Sequence, residues 1–249
     1  MKTLLVTTHG IMTDQTTASW PDRLDASAFD RDPEIKVLKK EYRAGPFPRW
    51  NCMVKDPYLA RSLANELELF LQHPAPPDLW FVAHSNGAVI ALLTAKILIE
   101  RGYKIAGLIL TGAACEADLA KNCILGWLED GNLRAAISYS SADDAVLPFS
   151  HSVFDLRHSA PSFFRKCYSA LGRPYGSLGR TGWLLNGEPL TALSTLCLRP
   201  STVLTRWYPG GHSTYFTPQN IEATFEQIYH DIQPVGVPVP IKHLLNTEH

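Results

Sequence analysis

The sequence predicts an α/β fold in which a mostly parallel central sheet is flanked by helices on both faces. Short apolar runs rich in β-branched residues alternate with longer segments of helical period, as in successive βαβ units. No repeat, charge block or low-complexity stretch divides the chain, so one domain is expected over residues 1–249. At 249 residues with 45% hydrophobic and 19% charged content, the chain can bury an ordinary globular core.

The first strand is expected at Lys2 to His9 (KTLLVTTH), and Glu34 to Tyr42 alternates like an edge strand with one wetter face. A Pro-rich aromatic loop follows at residues 45–50. From Pro57 to Gln72, Leu59, Leu63, Leu67 and Phe70 fall at helical spacing, with Asp56 as expected N-cap and His73-Pro74 as stop. Asp78 to Ala83 (DLWFVA) is a buried strand, and Gly87 to Glu100 (GAVIALLTAKILIE) a buried helix. Strands at Ile105 to Thr111 and Ala135 to Ser140 enclose a helical segment near Ala117 to Leu128, and the last strand is Ser201 to Tyr208. A final helix is expected from Thr217 as N-cap and Pro218 in the first turn, with Ile221, Phe225, Ile228 and Ile232 on one face. Residues 148–200 form a longer excursion whose glycine-rich centre, 172–187, is expected to be loop bordering the site; residues 234–249 form an extended tail.

Charge excludes some partners. Lys+Arg 23 against Asp+Glu 24 gives a formal charge of -1, so no global field favours nucleic acid or an anionic membrane. The apolar start breaks at Thr7-Thr8-His9, too early for a secretory signal, and no run reaches the roughly 18 apolar residues of a membrane span. A cytoplasmic protein is expected. The five cysteines, Cys52, Cys115, Cys123, Cys167 and Cys197, lack metal-ligand spacing, and their number and scatter fit reduced thiols better than a disulfide framework. His9 and His84 lack the third ligand or H-x-x-x-H spacing of a metal site and are expected to be structural. The 172–182 glycines neither follow a clear strand nor carry a Gly-Lys-Ser or Gly-Lys-Thr, so a nucleotide loop is not implied. Neither metal nor cofactor is expected.

The chemistry concentrates at strand ends. Ala83-His84-Ser85-Asn86-Gly87 joins a buried strand to a buried helix with small residues two before and two after the serine, the pattern of a nucleophile elbow. A serine hydroxyl needs a base, and the base needs a group that fixes its tautomer. Asp143 and Asp144 follow one strand, and His212 follows another in Pro209-Gly210-Gly211-His212. The order Ser, Asp, His is that of hydrolases built on a strand–turn–helix nucleophile. Either aspartate could leave its turn towards the histidine.

In this order and spacing, from His9-Gly10 to Gly211-His212, the chain resembles the α/β-hydrolase fold superfamily over nearly its whole length. The resemblance implies Ser85 as nucleophile, His212 as base and Asp144, which precedes Ala145-Val146-Leu147-Pro148, as acid, with Asp143 a turn residue. It further implies that His9-Gly10 leads into an oxyanion loop, where the backbone N–H of Ile11 or Met12 would join that of Asn86. Ala83 stands where the family more often has glycine, and the strands that usually precede the His-Gly strand are missing, as in a trimmed, minimal member. About twenty residues link strand IAGLILT to strand AAISYS, too few for a helical cap, so an open cleft is expected unless 148–200 covers it. A small-molecule ester is the expected substrate, cleaved through an acyl-enzyme. Thioesters, lactones and amides share the machinery, and a catalytically idle binding protein is the reading from another class.

Overall fold

The computed structural model describes residues 1–10, 20–40, 42, 55–147, 176–190 and 202–233. Six strands form one parallel sheet: β1 Thr3–Thr8, β2 Ile35–Lys40, β3 Asp78–His84, β4 Ile105–Thr111, β5 Leu133–Ser140 and β8 Thr202–Trp207, in the spatial order β2-β1-β3-β4-β5-β8. Every neighbouring pair runs parallel, including the edges.

Crossover handedness sorts the helices onto two faces. The chain first steps outward from β1 to β2 through α1 (Trp20–Arg31), then reverses over β1 to β3 through α2 (Asp56–Leu71). It continues in that new direction through α3 (Gly87–Glu100) and the short α4 (Ile124–Glu129). A right-handed crossover on a twisted sheet places helices of opposite travel on opposite faces. Accordingly Trp20, Leu24 and Ala28 of α1 share one core with Leu5, Trp80, Val82 and Ile109. Leu63 and Leu67 of α2 and the buried side of α3 share the other core with Leu4, Val6, Phe81 and Leu110. The last helix, α6 (Ile221–Ile232), closes the first face through Ile221, Phe225, Ile228 and Ile232. The alternation Leu79/Phe81 against Trp80/Val82 along β3 is the period-two pattern of a strand buried on both sides.

Residues 20–31, for which the sequence reading makes no assignment, form α1: Pro21 suits a first turn, and Trp20, Leu24 and Ala28 are all buried at intervals of four. Two local expectations need correction. The N-cap of α2 is Lys55, already in helical conformation, so Asp56 is the first helical residue and its carboxylate serves elsewhere. Continuous helix in α6 begins at Ile221 rather than at Thr217-Pro218. A 3-10 turn at Thr214–Phe216 precedes it, and the Thr217 hydroxyl turns back to donate to the Thr214 carbonyl at 3.1 Å instead of capping forwards.

Between β4 and β5 the chain makes only a 3-10 turn, Leu119–Lys121, and the six-residue α4. Residues 176–190, the described part of the long excursion, are not wholly loop. They form a one-turn helix α5 (Leu178–Thr181) and a small hairpin, β6 (Leu184–Leu185) with β7 (Glu188–Pro189). This unit docks on the carboxyl ends of β4 and β5: Gly179 N–H donates to the Ala113 carbonyl at 2.9 Å, and Ser141 N–H donates to the Gly179 carbonyl at 2.7 Å. The remaining parts of 148–200, the aromatic loop 45–50 and the whole 234–249 tail lie outside the described residues. Among the described residues no helix is long and apolar enough to cross a membrane.

The reversal of travel around β1 leaves a crevice at the carboxyl ends of β1 and β3, where neighbouring crossovers diverge onto opposite faces. His9-Gly10 follows β1 and Ser85 follows β3, so both line that switch point.

Candidate active site

Ser85 stands between the last residue of β3 and an α3 that starts two residues later. So abrupt a turn forces φ = +55° on Ser85, a left-handed conformation that costs a non-glycine residue about 1–3 kcal/mol. Neighbours hold it there. Ser85 N–H donates to the Thr111 carbonyl at 3.0 Å, and its own carbonyl accepts from Ala88 N–H and Ala114 N–H, each at 3.2 Å. Two glycines make the approach feasible. A Cβ on Gly87 would lie 2.4 Å from the Thr8 carbonyl oxygen, and one on Gly10 would lie 2.7 Å from Ser85 Cβ and 3.1 Å from its Oγ. Gly10, just past the end of β1, therefore lies directly against the serine.

The two strands beyond deliver the partners. After β5, Asp144 N–H donates to the Ser141 carbonyl at 3.1 Å, folding the turn so that the Asp144 side chain points inwards and is fully buried. Its Oδ1 accepts from Val146 N–H at 3.0 Å and Leu147 N–H at 3.2 Å, leaving Oδ2 for His212 Nδ1 at 2.7 Å. Asp143 lies on the exposed side of the same turn, with Gly210 N–H 3.5 Å from its Oδ2. In this turn Asp144, and not Asp143, meets the His212 ring.

His212 leaves β8 through Gly210, whose φ of +98° suits glycine. Its imidazole Nε2 is 2.8 Å from Ser85 Oγ. A carboxylate only accepts, so Nδ1 carries the proton towards Asp144 and the Nε2 lone pair faces the hydroxyl. One line of hydrogen bonds therefore runs from Asp144 through His212 to Ser85, with a small part of the His212 ring open to solvent.

His84, next to the serine, is buried and supports this line from behind. A carbonyl can only accept, so His84 Nε2–H donates to the His212 carbonyl at 3.1 Å, while its ring meets Phe216 edge-on. Burial, with the neighbouring His212 charge second, pushes its pKa down to about 3 from an ordinary 6.5. Between these values the unfolded chain binds a proton that the native site refuses, so stability falls as pH drops from about 6.5 towards 3. At about 1.4 kcal/mol per pKa unit the accumulated loss is on the order of 5 kcal/mol. Thermal melts across that window are expected to show a shallower acid slope in His84→Gln than in wild type. Comparing slopes removes any constant offset, and equal slopes would refute the assignment.

The expected oxyanion donors divide. Ile11 and Met12 lie outside the described residues. Asn86 follows Ser85 as the N-cap of α3, where its N–H has no intrahelical acceptor. Asn86 makes no side-chain capping bond; its Nδ2 reaches across to Asp56, at 3.3 Å from Oδ1 and 3.2 Å from Oδ2. On the opposite wall Tyr42 stacks on His9, with ring centroids 4.2 Å apart, and its hydroxyl donates to the His9 carbonyl. Neither Asp56 nor Tyr42 belongs to a local motif, and only the meeting of distant segments brings them here.

No family model matches the chain, and no curated protein matches it. Among solved structures it is similar to an uncharacterized protein from Bacillus cereus ATCC 10987, with a TM-score of 0.53 and 14% identity over 93% of this chain. It spans 59% of the length of that protein. Human thioesterase 2 gives a TM-score of 0.48 at 12% identity, covering 95% of this chain and 99% of the other. A hyperthermophilic esterase from the archaeon Pyrobaculum calidifontis gives 0.48 at 13%, covering 93% and 76%. Likeness at such identities speaks to fold alone. The parallel order β2-β1-β3-β4-β5-β8, with a positive-φ serine between β3 and α3, is the α/β-hydrolase fold.

Proposed function

We propose that the protein is a serine hydrolase that cleaves carboxylic esters of small to medium acyl or alcohol groups through an acyl-enzyme. The observation that carries this reading is the continuous contact of Ser85 Oγ with His212 Nε2 at 2.8 Å and of His212 Nδ1 with Asp144 Oδ2 at 2.7 Å. Three loops distant in sequence meet here in the order required of nucleophile, base and orienting acid.

In the proposed cycle Ser85 Oγ attacks the ester carbonyl carbon while its proton passes to His212 Nε2. Asp144 stabilises the resulting imidazolium. The carbonyl π electrons move onto oxygen, which the Asn86 N–H and a donor from the loop after Gly10, Ile11 or Met12, would receive. Collapse breaks the carbon–oxygen bond to the alcohol, which leaves with the proton from His212. Water, deprotonated by the same nitrogen, then attacks the acyl-enzyme, and the acid departs as Ser85 regains its proton. None of these steps calls for a metal or cofactor.

Ester preference rests on economy, since ester cleavage needs no part beyond this constellation, and on the short β4–β5 connection, which supplies no cap over Ser85. The cytoplasm is the proposed setting, in keeping with the free thiols Cys115 and Cys123; burial pushes Cys123 up to about 12 and Cys115 further.

The test is labelling with a fluorophosphonate followed by a p-nitrophenyl ester series of rising acyl length. Stoichiometric labelling at Ser85 and turnover of the shorter esters are expected. A flat response to esters with turnover of acyl thioesters would replace the ester by the thioester. Folded protein that takes no label would be a binding protein on a hydrolase fold.

A further inference from the structure

We propose that Asp56 is a positioning residue of the oxyanion site, acting through the Asn86 side chain to fix the peptide N–H that follows Ser85. This rests on the hydrolase reading above and adds to it a residue that touches neither nucleophile nor base.

Asp56 and Asn86 lie thirty residues apart on different helices, and both are almost completely buried, at 1% and 3% exposure. A carboxylate is costly to bury, and here it sits in the first turn of the sixteen-residue α2, where the helix dipole favours an anion. Holding an amide and a carboxylate at this helix contact gains little stability over an apolar pair of similar volume. Capping does not explain the asparagine either. An N-cap Asn ordinarily turns its side chain onto the N–H groups of its own first turn, whereas Asn86 makes no such bond and gives its Nδ2 to both oxygens of Asp56.

The consequence follows from backbone geometry. The N–H of Asn86 and its Cβ are carried on the same N–Cα bond, so rotation about φ moves one relative to the other. Tethering the side chain to α2 holds φ at its observed −63°, and with it the direction of the N–H beside a serine already held at φ = +55°. The other wall is tied in the same neighbourhood. Tyr42, whose hydroxyl donates to the His9 carbonyl, has its phenol pKa raised by burial and then by the Asp56 charge. The Asp56–Asn86 pair thus braces the peptide after Ser85, while Tyr42 separately holds the His9 carbonyl just before Gly10.

Donors to an oxyanion act in the transition state, so loosening one lowers kcat and leaves KM nearly unchanged. Removing a donor outright costs about 100- to 1,000-fold, so misaiming one in Asp56→Ala is expected to cost about 10- to 100-fold in kcat on a p-nitrophenyl ester, with KM within about twofold. Asp56→Asn keeps an acceptor for the Asn86 amide and is expected to recover kcat to within about threefold of wild type. Asn86→Ala should lose as much as Asp56→Ala, and the double variant no more than the worse single one, because both break the same tether.

Wild-type kcat in folded Asp56→Ala, or a double loss equal to the product of the singles, would overturn the proposal. If Asp56→Ala does not fold, Asn86→Ala decides: kcat within about twofold of wild type overturns it, and a drop of tenfold or more at constant KM supports it. Fluorophosphonate labelling of the wild type separates the two levels of inference. Labelled, active wild type with unaffected variants removes Asp56 alone, whereas wild type that neither labels nor turns over removes the hydrolase reading and this proposal with it.

Discussion

Ser85→Ala is expected to lower kcat on a p-nitrophenyl ester by about 10⁴- to 10⁶-fold, and Ser85→Ala/His212→Ala no further. The non-additivity is the informative part. With Ser85 Oγ 2.8 Å from His212 Nε2, the proposed mechanism makes hydroxyl and imidazole one unit, in which the imidazole without the oxygen has no nucleophile to activate. A residual rate over water of about 10³-fold would report what the Asn86 N–H and substrate placement supply alone. Neither change should unfold the protein: Ser85 keeps its backbone bonds to Thr111, Ala88 and Ala114 whatever its side chain. Matching melting curves and loss of phosphonate label would confine the effect to chemistry. A double loss near the product of the single ones would mean that the two residues serve separate steps.

Much of this arrangement is legible in the sequence because each main element carries its own signal. The run DLWFVAHSNG names a buried strand, an abrupt turn and the start of a helix within ten residues, and in the structure β3 and α3 are separated only by Ser85 and Asn86. The α6 face shows itself by Ile221, Phe225, Ile228 and Ile232, all buried. What escaped has a different physical origin. Among the described side chains the α1 helix buries Trp20, Pro21, Leu24 and Ala28 beneath a charged face, an apolar stripe too thin to stand out until the β1–β2 crossover demands a helix. Asp56 at a helix start suggests a cap, and only the packing of α2 against α3 turns its carboxylate to Asn86. His84 reads as a generic strand-end histidine; its bond to the His212 carbonyl exists only once β3 and the loop after β8 are side by side. Local periodicity is written in the chain, whereas contacts between elements follow from topology.

Asp144→Asn is expected to cost about 10⁴-fold in kcat, while Asp143→Asn changes it by less than about threefold. The hydrogen bonds around Asp144 dictate the first result. Val146 and Leu147 N–H groups both donate to Oδ1, so an asparagine must place its carbonyl oxygen there and present its NH₂ to His212 Nδ1. Nδ1 then accepts a bond instead of donating one, the ring proton moves to Nε2, and the nitrogen facing Ser85 loses the lone pair that makes it a base. The shape of the site survives while its proton inventory is inverted. Removing the carboxylate charge also leaves the imidazolium formed during attack without its counter-ion. Asp143 has no such hold: it is exposed, and its one contact with that loop is the Gly210 N–H at 3.5 Å, which an asparagine oxygen can equally accept. Initial rates for the two variants, with melting curves showing both folded, decide the matter. A larger loss in Asp143→Asn would exchange their roles and require the turn from Ser141 to Leu147 to rearrange when substrate binds.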